Sequence, residues 1–311
     1  MNKWLITILV FMLLFISINR KEMFQSNKNL TPKIAIQTVF ILKENLPFLE
    51  EWIVYHKKIG VEKFYLYDNT GSKHRENNIG INKRKINYDK TIILTNEEVN
   101  NEMNKLKKKY PEIVHVKWQP RDKNNNIIYG QMDAVKHYIK KYGNECDYTA
   151  FTDIDEFIYL KNNKSFKDFI KEKKKDKFVI QQTKMNDRFC GSLNNKNVLS
   201  SINTLEINSQ WAPKNIIKNN TIDLDNLTLI HYIPIKTKNI YNCNKDELFF
   251  FHFNISKYEY NWMKKFLKKD NFKRIKNNEL NNFAISNNIN MNTKFINKNK
   301  ISKEFDKICI L

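Results

Sequence analysis

The sequence lacks the short motifs that identify several common classes of protein. Its four cysteines are far apart and form no C-x-x-C pair, which argues against a zinc site. It contains no glycine-rich G-x-G-x-x-G or Walker loop, so the phosphates of a nucleotide would have to be held by other groups. It also has no arginine-rich stripe, no RNA-binding aromatic signature and no zinc-finger spacing. We therefore expect no nucleic-acid partner.

The positive charge of the chain is spread along its length. The 54 lysines and arginines exceed the 33 acids and give a formal net charge of +21. Lysine, asparagine and isoleucine are all frequent, which points to a compositional bias rather than to a designed basic patch. A generally basic surface still favours a phosphate-bearing ligand. The cysteines allow three disulfide pairings in an oxidising compartment, or they are buried thiols.

An uninterrupted apolar run covers residues 4–18, with Lys3 before it and Arg20-Lys21 after it. No small-x-small cleavage site follows, so we predict an uncleaved signal anchor rather than a cleaved signal peptide. Only three residues precede the run, which favours a single-pass type II protein. This location would be the Golgi or another secretory compartment in a eukaryote. Residues 1–31 would then comprise the anchor and a short stem.

The folded part is predicted to begin with a strand, a helix and a second strand. Residues 33–41 form a buried apolar run. Asn45 is placed to cap the following helix, Pro47 lies in its first turn and Gly60 ends it. Residues 63–68 form the next strand. This order indicates a right-handed parallel crossover, as at the start of a nucleotide-binding α/β sheet.

The later part of the chain is predicted to continue the same pattern. Helices are expected near 97–109, 129–142 and 165–175, with strands at 91–95, 113–118, 177–182 and 227–233 between and after them. We assign residues 32–260 to a catalytic domain and residues 261–311 to a basic helical extension packed on it.

The most informative stretch is FTDIDEFIYL, residues 151–160. It follows a predicted strand, so Asp153 and Asp155 would lie at the edge where α/β sheets present ligands. Two carboxylates at i and i+2 can converge on one divalent cation, and Mg²⁺ and Mn²⁺ prefer oxygen ligands. The alternative is an ordinary solvated turn.

Three further residues are candidates for ligand binding. Asp68 ends the second strand and could accept hydrogen bonds from a base or ribose, or it is simply a turn residue. His231 and His252 each lie among apolar residues. Either histidine could supply an imidazole to a metal or a diphosphate, or be an ordinary core residue.

Four stretches resemble glycosyltransferase family 92 and the closely similar family 2-like enzymes. The two more specific stretches are ILKENLPFLEEWIVYHKKIGVEKFYLYDN and YGQMDAVKHYIKKYGNECDYTAFTDIDEFIYL. APKNIIKN followed by LIHYI, and HFNISKYEY, resemble later blocks more loosely. The resemblance covers roughly residues 33–268. It implies an α/β fold of the GT-A type, in which helices flank a mixed, mostly parallel central sheet.

The same resemblance implies a metal-dependent, inverting transfer of a sugar, with galactose as the family-level expectation, from a UDP-sugar to a glycan acceptor. The cation would be Mn²⁺ or Mg²⁺. The residues implied for the metal are Asp153, Asp155 and His231. Those implied for the nucleotide and its diphosphate are Asp68, Asn69, Lys214, His252 and Lys257. The reversed order Ser256-Lys257 departs from the family pattern.

An inverting transfer also needs a carboxylate base for the acceptor hydroxyl. Asp187 is the first candidate, because it lies in the stretch whose sequence is most similar to the family's acceptor loop. Glu156 and Glu206 are alternatives. Glu156 could instead orient the metal ligands.

Two other functions are compatible with the pattern. One is a non-catalytic protein that binds sugar nucleotides or glycans on the same fold. The other is a phosphohydrolase of haloacid-dehalogenase type with Asp153 as nucleophile, although Phe157 stands where a small hydroxyl residue is usual.

Overall fold

The computed structural model of the chain describes residues 31–72, 94–161, 165–185, 199, 204–207, 213–252, 273–276 and 278–289. The chain divides into two units between Pro32 and Lys33, and nearly all described residues belong to the second unit. Among the described residues, no helix is long and apolar enough to cross a bilayer. The predicted anchor at 4–18 lies outside them, and so do Asp187 and Lys257.

The predicted crossover is present at the start of the domain. Strand β1 (Ile34–Phe40) is buried along its whole length and pairs in parallel with β2 (Lys63–Asp68). Helix α1 (Leu42–Lys58) connects them. It begins before Asn45, so the predicted cap is wrong, and the Asn45 side chain instead donates to the carbonyl of Ile41 at 2.8 Å.

The remaining elements follow in chain order, with two single 3₁₀ turns at Asn219–Thr221 and Ile230–Tyr232. The helices are α2 (Asn96–Lys109), α3 (Gln131–Tyr142), α4 (Phe166–Lys173) and α5 (Glu279–Ser286). The strands are β3 (Ile113–Lys117), β4 (Tyr148–Phe151), β5 (Glu156–Leu160), β6 (Lys177–Met185), β7 (Thr204–Ile207), β8 (Lys214–Lys218), β9 (Ile240–Asn242), β10 (Leu248–His252) and β11 (Lys273–Lys276).

The strands form one mixed sheet in the order β11-β7-β6-β8-β4-β1-β2-β3, with β9 and β10 paired to β6 and β5 paired to β10. Strands β4, β1, β2 and β3 run parallel. Antiparallel pairs join β4 to β8, β8 to β6, β6 to β7, β7 to β11 and β10 to β5. The prediction of a mostly parallel sheet is therefore wrong, since parallel and antiparallel pairings are balanced among the described strands.

Two apolar clusters cover the two faces of this sheet. Along β1, Ile34 and Ile36 belong to one cluster, whereas Ala35 and Val39 belong to the other. This alternation follows from the period of two in a strand. Helix α1 packs in the first cluster together with β5 and β10, and α3 packs in the second.

Two predictions about the later chain are corrected by the structure. The segment 227–233 is not a strand but an irregular stretch containing the turn Ile230–Tyr232. The extension 261–311 is not purely helical, because β11 pairs with β7 in the sheet. Cys146 and Cys243 are buried free thiols.

Candidate functional site

The carboxyl ends of β1, β2 and β4 meet at one edge of the sheet. Phe40 pairs with Asp68 at the end of β2, and Gln37 pairs with Phe151 at the end of β4. Asp153 follows two residues later, so it lies nearly level with Asp68. Since β1 lies between β2 and β4, the backbones of these two strands are about 10 Å apart. The sheet therefore brings the two predicted acidic positions to the same edge.

The segment Asp153–Glu156, which we call the acid turn, connects β4 to β5. The Glu156 backbone N–H donates to the carbonyl of Asp153 at 3.1 Å. In return, the Asp153 N–H donates to Glu156 Oε2 at 2.8 Å. Ile154 is buried beneath the turn. These bonds leave the side chains of Asp153 and Asp155 partly exposed, at 34% and 19%.

Lys214, the first residue of β8, lies against the acid turn. Its Nζ is 2.6 Å from Asp153 Oδ2 and 3.0 Å from Glu156 Oε2. The side chains of Lys214 and Glu156 are only 4% and 1% exposed, so this ion pair is almost fully withdrawn from water. Such a pair is stable only if each charge keeps its partner.

Burial and the neighbouring charges set the pKa values of this pair. Burial raises the pKa of Glu156 to about 7, although the ammonium of Lys214 opposes the shift. Burial alone would lower the pKa of Lys214, but the carboxylates of Asp153 and Glu156 hold it above its usual range. Lys214 therefore remains a fixed positive charge at the acid turn.

His252, the last residue of β10, completes the group. It stands opposite Glu156 in the antiparallel register. Its Nε2 is 3.3 Å from Asp155 Oδ2, and its Nδ1 is 3.9 Å from Glu156 Oε1. The structure thus brings together the predicted residues Asp153, Asp155, Glu156, Lys214 and His252.

His231 lies in the 3₁₀ turn after β8, where its ring contacts the backbone just before that strand. Its Nδ1 is 3.2 Å from the carbonyl of Pro213. The Asn215 amide holds the turn by donating to the carbonyls of Ile230 and His231 at 3.3 and 3.0 Å. In the part of the chain that the structure describes, no three His, Cys, Asp or Glu side chains are grouped to hold a metal. His231 is therefore not assembled with the two aspartates as a third ligand.

The two aspartates nevertheless fit a divalent cation by their chemistry. Both are partly exposed carboxylates on one turn, and hard cations keep several positions for water and phosphate oxygens. A site of two carboxylates that is completed by a diphosphate does not require a cage of protein ligands.

Asp68 is buried and tied to its surroundings by both carboxylate oxygens. Its Oδ1 accepts from the backbone N–H of Leu42 at 3.3 Å and of Thr70 at 3.0 Å, and from the Thr70 hydroxyl at 2.5 Å. Its Oδ2 is 3.3 Å from His115 Nε2. Burial alone would raise the pKa of Asp68, but the bonds from His115 and Thr70 hold it below its usual value. Asp68 is therefore an ionised residue that organises the end of β2.

Asn69 is fully buried and fixes the segment that follows β3. Its amide donates to the carbonyls of Trp118 at 2.9 Å and Ile128 at 3.0 Å. These two carbonyls close the base of a small hairpin, which the bridge between Arg121 and Ile127 extends. The sequence predicted a ligand contact for Asn69, and the structure shows a scaffold role beside the same edge.

Several residues of this region were not predicted from the sequence. His115 and Thr70 contact Asp68, and Tyr129 donates to the carbonyl of Val39 at 2.9 Å. Only Thr70 carries a local signal, because it lies two residues after the acid.

Glu206, predicted as an alternative base, lies in β7, where its backbone pairs with Lys184 and Arg274.

The chain is similar to known proteins in both sequence and structure. The sequence profile described as glycosyltransferase family 92 matches residues 34–296. A family 92 protein of Oryza sativa subsp. japonica is 26% identical over 131 residues, which are 42% of this chain and 17% of that protein. One of Arabidopsis thaliana is 28% identical over 125 residues, 40% of this chain and 16% of that protein. The aligned region thus spans less than a fifth of either relative.

Crystal structures of TarS from S. aureus are also similar to the chain. Residues 1–349 of TarS give a TM-score of 0.42 at 10% identity, with coverage of 71% of this chain and 60% of that chain. The same fragment in complex with UDP-GlcNAc gives 0.38 at 12% identity, with coverage of 71% and 58%.

Proposed function

The chain belongs to glycosyltransferase family 92, and we propose that it is a glycosyltransferase that transfers a sugar from a UDP-sugar to a glycan acceptor with the help of a divalent cation. The observation that carries the proposal is the acid turn. Two partly exposed aspartates lie at the carboxyl edge of a parallel strand group, beside a buried lysine that ties the turn to β8.

We assign the cation, Mn²⁺ or Mg²⁺, to Asp153 and Asp155. When bound, such an ion neutralises the diphosphate as the bond to the sugar breaks. The ammonium of Lys214 already lies 2.6 Å from Asp153 and adds positive charge at this place. His252, at 3.3 Å from Asp155, holds the second carboxylate in position. These residues would orient the donor diphosphate at the acid turn.

The base that accepts the proton of the acceptor hydroxyl is assigned to Asp187, which lies outside the described residues. Glu156 is less suited, because its carboxylate lies beneath the turn, accepts from the Asp153 N–H and faces Lys214. We give Glu156 the other role predicted for it, which is to orient the residues that hold the cation. Inversion at the anomeric carbon stays a prediction.

The alternatives are less well supported. A phosphohydrolase with Asp153 as nucleophile does not agree with membership of a glycosyltransferase family. A non-catalytic binding protein on this fold is not required either, since the described acid turn is intact. Galactose as the sugar, the anchor at 4–18 and a secretory location stay predictions.

A thermal-shift panel of sugar nucleotides, with and without Mn²⁺, tests the proposal. A ligand at a hundred times its dissociation constant stabilises the native state by about 2.7 kcal/mol. For a domain of this size we expect a rise in melting temperature of about 5 °C with one UDP-sugar plus Mn²⁺.

The panel is repeated with Asp153→Asn and, as a matched control, with Asp246→Asn, whose side chain is 80% exposed. Asp153→Asn should abolish the rise and Asp246→Asn should retain it. The assignment of the cation would be contradicted if Asp153→Asn showed the same rise in melting temperature as Asp246→Asn. It would also be contradicted if the wild type showed the same rise without Mn²⁺.

A further inference from the structure

Three side chains on one face of α1 bind the backbone of β5. The indole Nε1 of Trp52 donates to the carbonyl of Glu156 at 2.8 Å, and the Tyr55 hydroxyl donates to the carbonyl of Ile158 at 2.7 Å. The N–H of Ile158 donates to Nε2 of His56 at 3.3 Å. All three side chains are fully buried. We call Trp52, Tyr55 and His56 the α1 clamp.

The α1 clamp takes the place of a neighbouring strand. In an antiparallel strand, alternate residues direct their N–H and C=O groups to opposite sides. One edge of β5 pairs with β10. Among the described strands, none pairs with the other edge of β5. On that other edge, the carbonyls of Glu156 and Ile158 and the N–H of Ile158 form hydrogen bonds with the α1 clamp. Without it, buried backbone groups would lose their partners, which is costly.

The chemistry of the clamp requires a neutral histidine. His56 Nδ1 lies 2.8 Å from the carbonyl of Trp52, to which it can only donate, so Nε2 carries the lone pair that accepts from Ile158. Burial lowers the pKa of His56 to about 3. The imidazole therefore keeps this donor and acceptor arrangement throughout the neutral range.

The other end of α1 is tied to Asp68. The N–H of Leu42, the first residue of α1, donates to Asp68 Oδ1 at 3.3 Å and to the Thr70 hydroxyl at 3.3 Å. Trp52 follows Leu42 by ten residues, which is about 15 Å along a helix. One continuous helix therefore links the acid that ends β2 to the strand that follows the acid turn.

We propose that Trp52, Tyr55 and His56 are positioning residues of the glycosyltransferase, and that α1 is a strut that holds the acid turn at a fixed distance from Asp68. The proposal rests on the assignment of the donor and cation to this edge of the sheet. The Glu156 carbonyl that Trp52 holds is one residue beyond Asp155. A register slip of one residue in β5 would turn Glu156 away from Lys214, so the clamp also protects the buried ion pair.

The variant Tyr55→Phe tests the strut with little change in shape. It removes one hydroxyl and leaves the ring in place. Tyr138→Phe is the matched control, because Tyr138 is also fully buried and its hydroxyl bonds to the Thr149 hydroxyl at 2.7 Å, in the other apolar cluster. His56→Leu is a second variant, which cannot accept from Ile158.

Two measurements are made on the whole 311-residue chain of each protein. The first is the dissociation constant for Mn²⁺ in the presence of UDP, determined by electron paramagnetic resonance of the free ion. The second is hydrogen exchange of the peptide that covers residues 153–158. We expect Tyr55→Phe to weaken Mn²⁺ binding about three- to tenfold, as expected for the loss of one hydrogen bond, and to speed exchange over 153–158. Tyr138→Phe should change neither quantity.

The outcomes separate the two proposals. If the wild-type protein binds no Mn²⁺, the proposed function fails, whereas faster exchange over 153–158 in Tyr55→Phe and His56→Leu alone would still support the strut. Unchanged exchange in both variants overturns the strut whether or not the cation binds. If the wild-type protein binds Mn²⁺ and the Tyr55→Phe variant binds it with the same affinity, that result overturns the strut as well.

Discussion

Buried polar side chains determine the geometry of the site at the scale of single residues. Lys214 joins β8 to the acid turn through two carboxylates, and Asn69 joins β2 to the base of the hairpin. Lys214, Glu156 and Asn69 are almost fully removed from water, whereas Asp153 stays partly exposed. Breaking a buried ion pair by removing one partner typically costs about 3–5 kcal/mol. Residues that hold the site together are therefore also residues that hold the fold together.

His56 gives a prediction about stability and pH. Its pKa is about 3 in the folded protein, compared with about 6.5 in an unfolded chain. Between these values the unfolded state binds more protons, so stability is full above pH 6.5 and falls as the pH falls towards 3. This residue alone should lower the free energy of unfolding by up to about 1.4 kcal/mol for each pH unit in that window.

Urea denaturation of the wild type and of His56→Leu, at pH 7.5, 6.0 and 5.0, measures this contribution. The wild type should lose stability more steeply than His56→Leu on acidification, because the variant lacks the group that must be protonated. Parallel pH profiles for the two proteins would contradict the assignment of a neutral, buried His56.

Patterns in the sequence itself predicted single residues only where the signal is local, whereas Lys214 and His252 were predicted through the family resemblance. Asp153 and Asp155 were identified because two acids follow a strand within three positions. The pairing of Lys214 with Asp153 spans 61 positions, and in a chain rich in lysine the identity of Lys214 carries no signal of its own. The spacing of the clamp residues Trp52 and Tyr55 indicates only that they share a helical face, and their polar atoms contact β5 only in the folded structure.

At the scale of elements, the hairpin after β3 and helix α3 meet at a glycine. Gly130 precedes α3 with φ of +56°, and a Cβ there would lie 2.5 Å from Pro120 Cγ and 3.2 Å from the Trp118 indole nitrogen. Both the backbone conformation and the close approach require glycine. This glycine sets the direction in which α3 leaves the carboxyl edge of the sheet.

We therefore expect Gly130→Ala to lower the free energy of unfolding by about 1–3 kcal/mol. Asp133→Ala, an exposed change in the first turn of the same helix, should cost less than about 1 kcal/mol. Chemical denaturation of the two variants measures both quantities. Equal small effects at the two positions would show that the turn at Gly130 is not constrained.

The boundaries of elements were predicted well where helical signals and buried runs coincide, as in α2 and α4. The strand predicted at 227–233 was wrong for a physical reason. In a strand, Leu227, Leu229 and Ile233 would lie on the same face, but Leu229 is exposed while Leu227 and Ile233 are buried. The Asn215 amide donates hydrogen bonds to the carbonyls of Ile230 and His231, so these carbonyls are paired without a neighbouring strand. That contact is remote in sequence and leaves no local pattern.

At the scale of the whole molecule, a parallel group of strands carries the site, and antiparallel strands fix it from the side. Strands β1, β2 and β4 supply the edge, while β8 and β10 deliver Lys214 and His252 to it. The crossover pattern predicted the parallel group. The antiparallel pairs join segments that are distant in the chain, and no short-range periodicity specifies their direction.

The release of UDP from the donor sugar nucleotide, with and without Mn²⁺, tests the central assignment of the acid turn most directly. It is measured for the wild type, Asp153→Asn, Asp155→Asn and the exposed control Asp246→Asn. We predict that the wild type and the control require Mn²⁺, and that both acid-turn variants lose at least about a hundredfold in rate, the range observed when one electrostatic stabiliser is removed. Release that is independent of Mn²⁺ and equal in all four proteins would contradict the account.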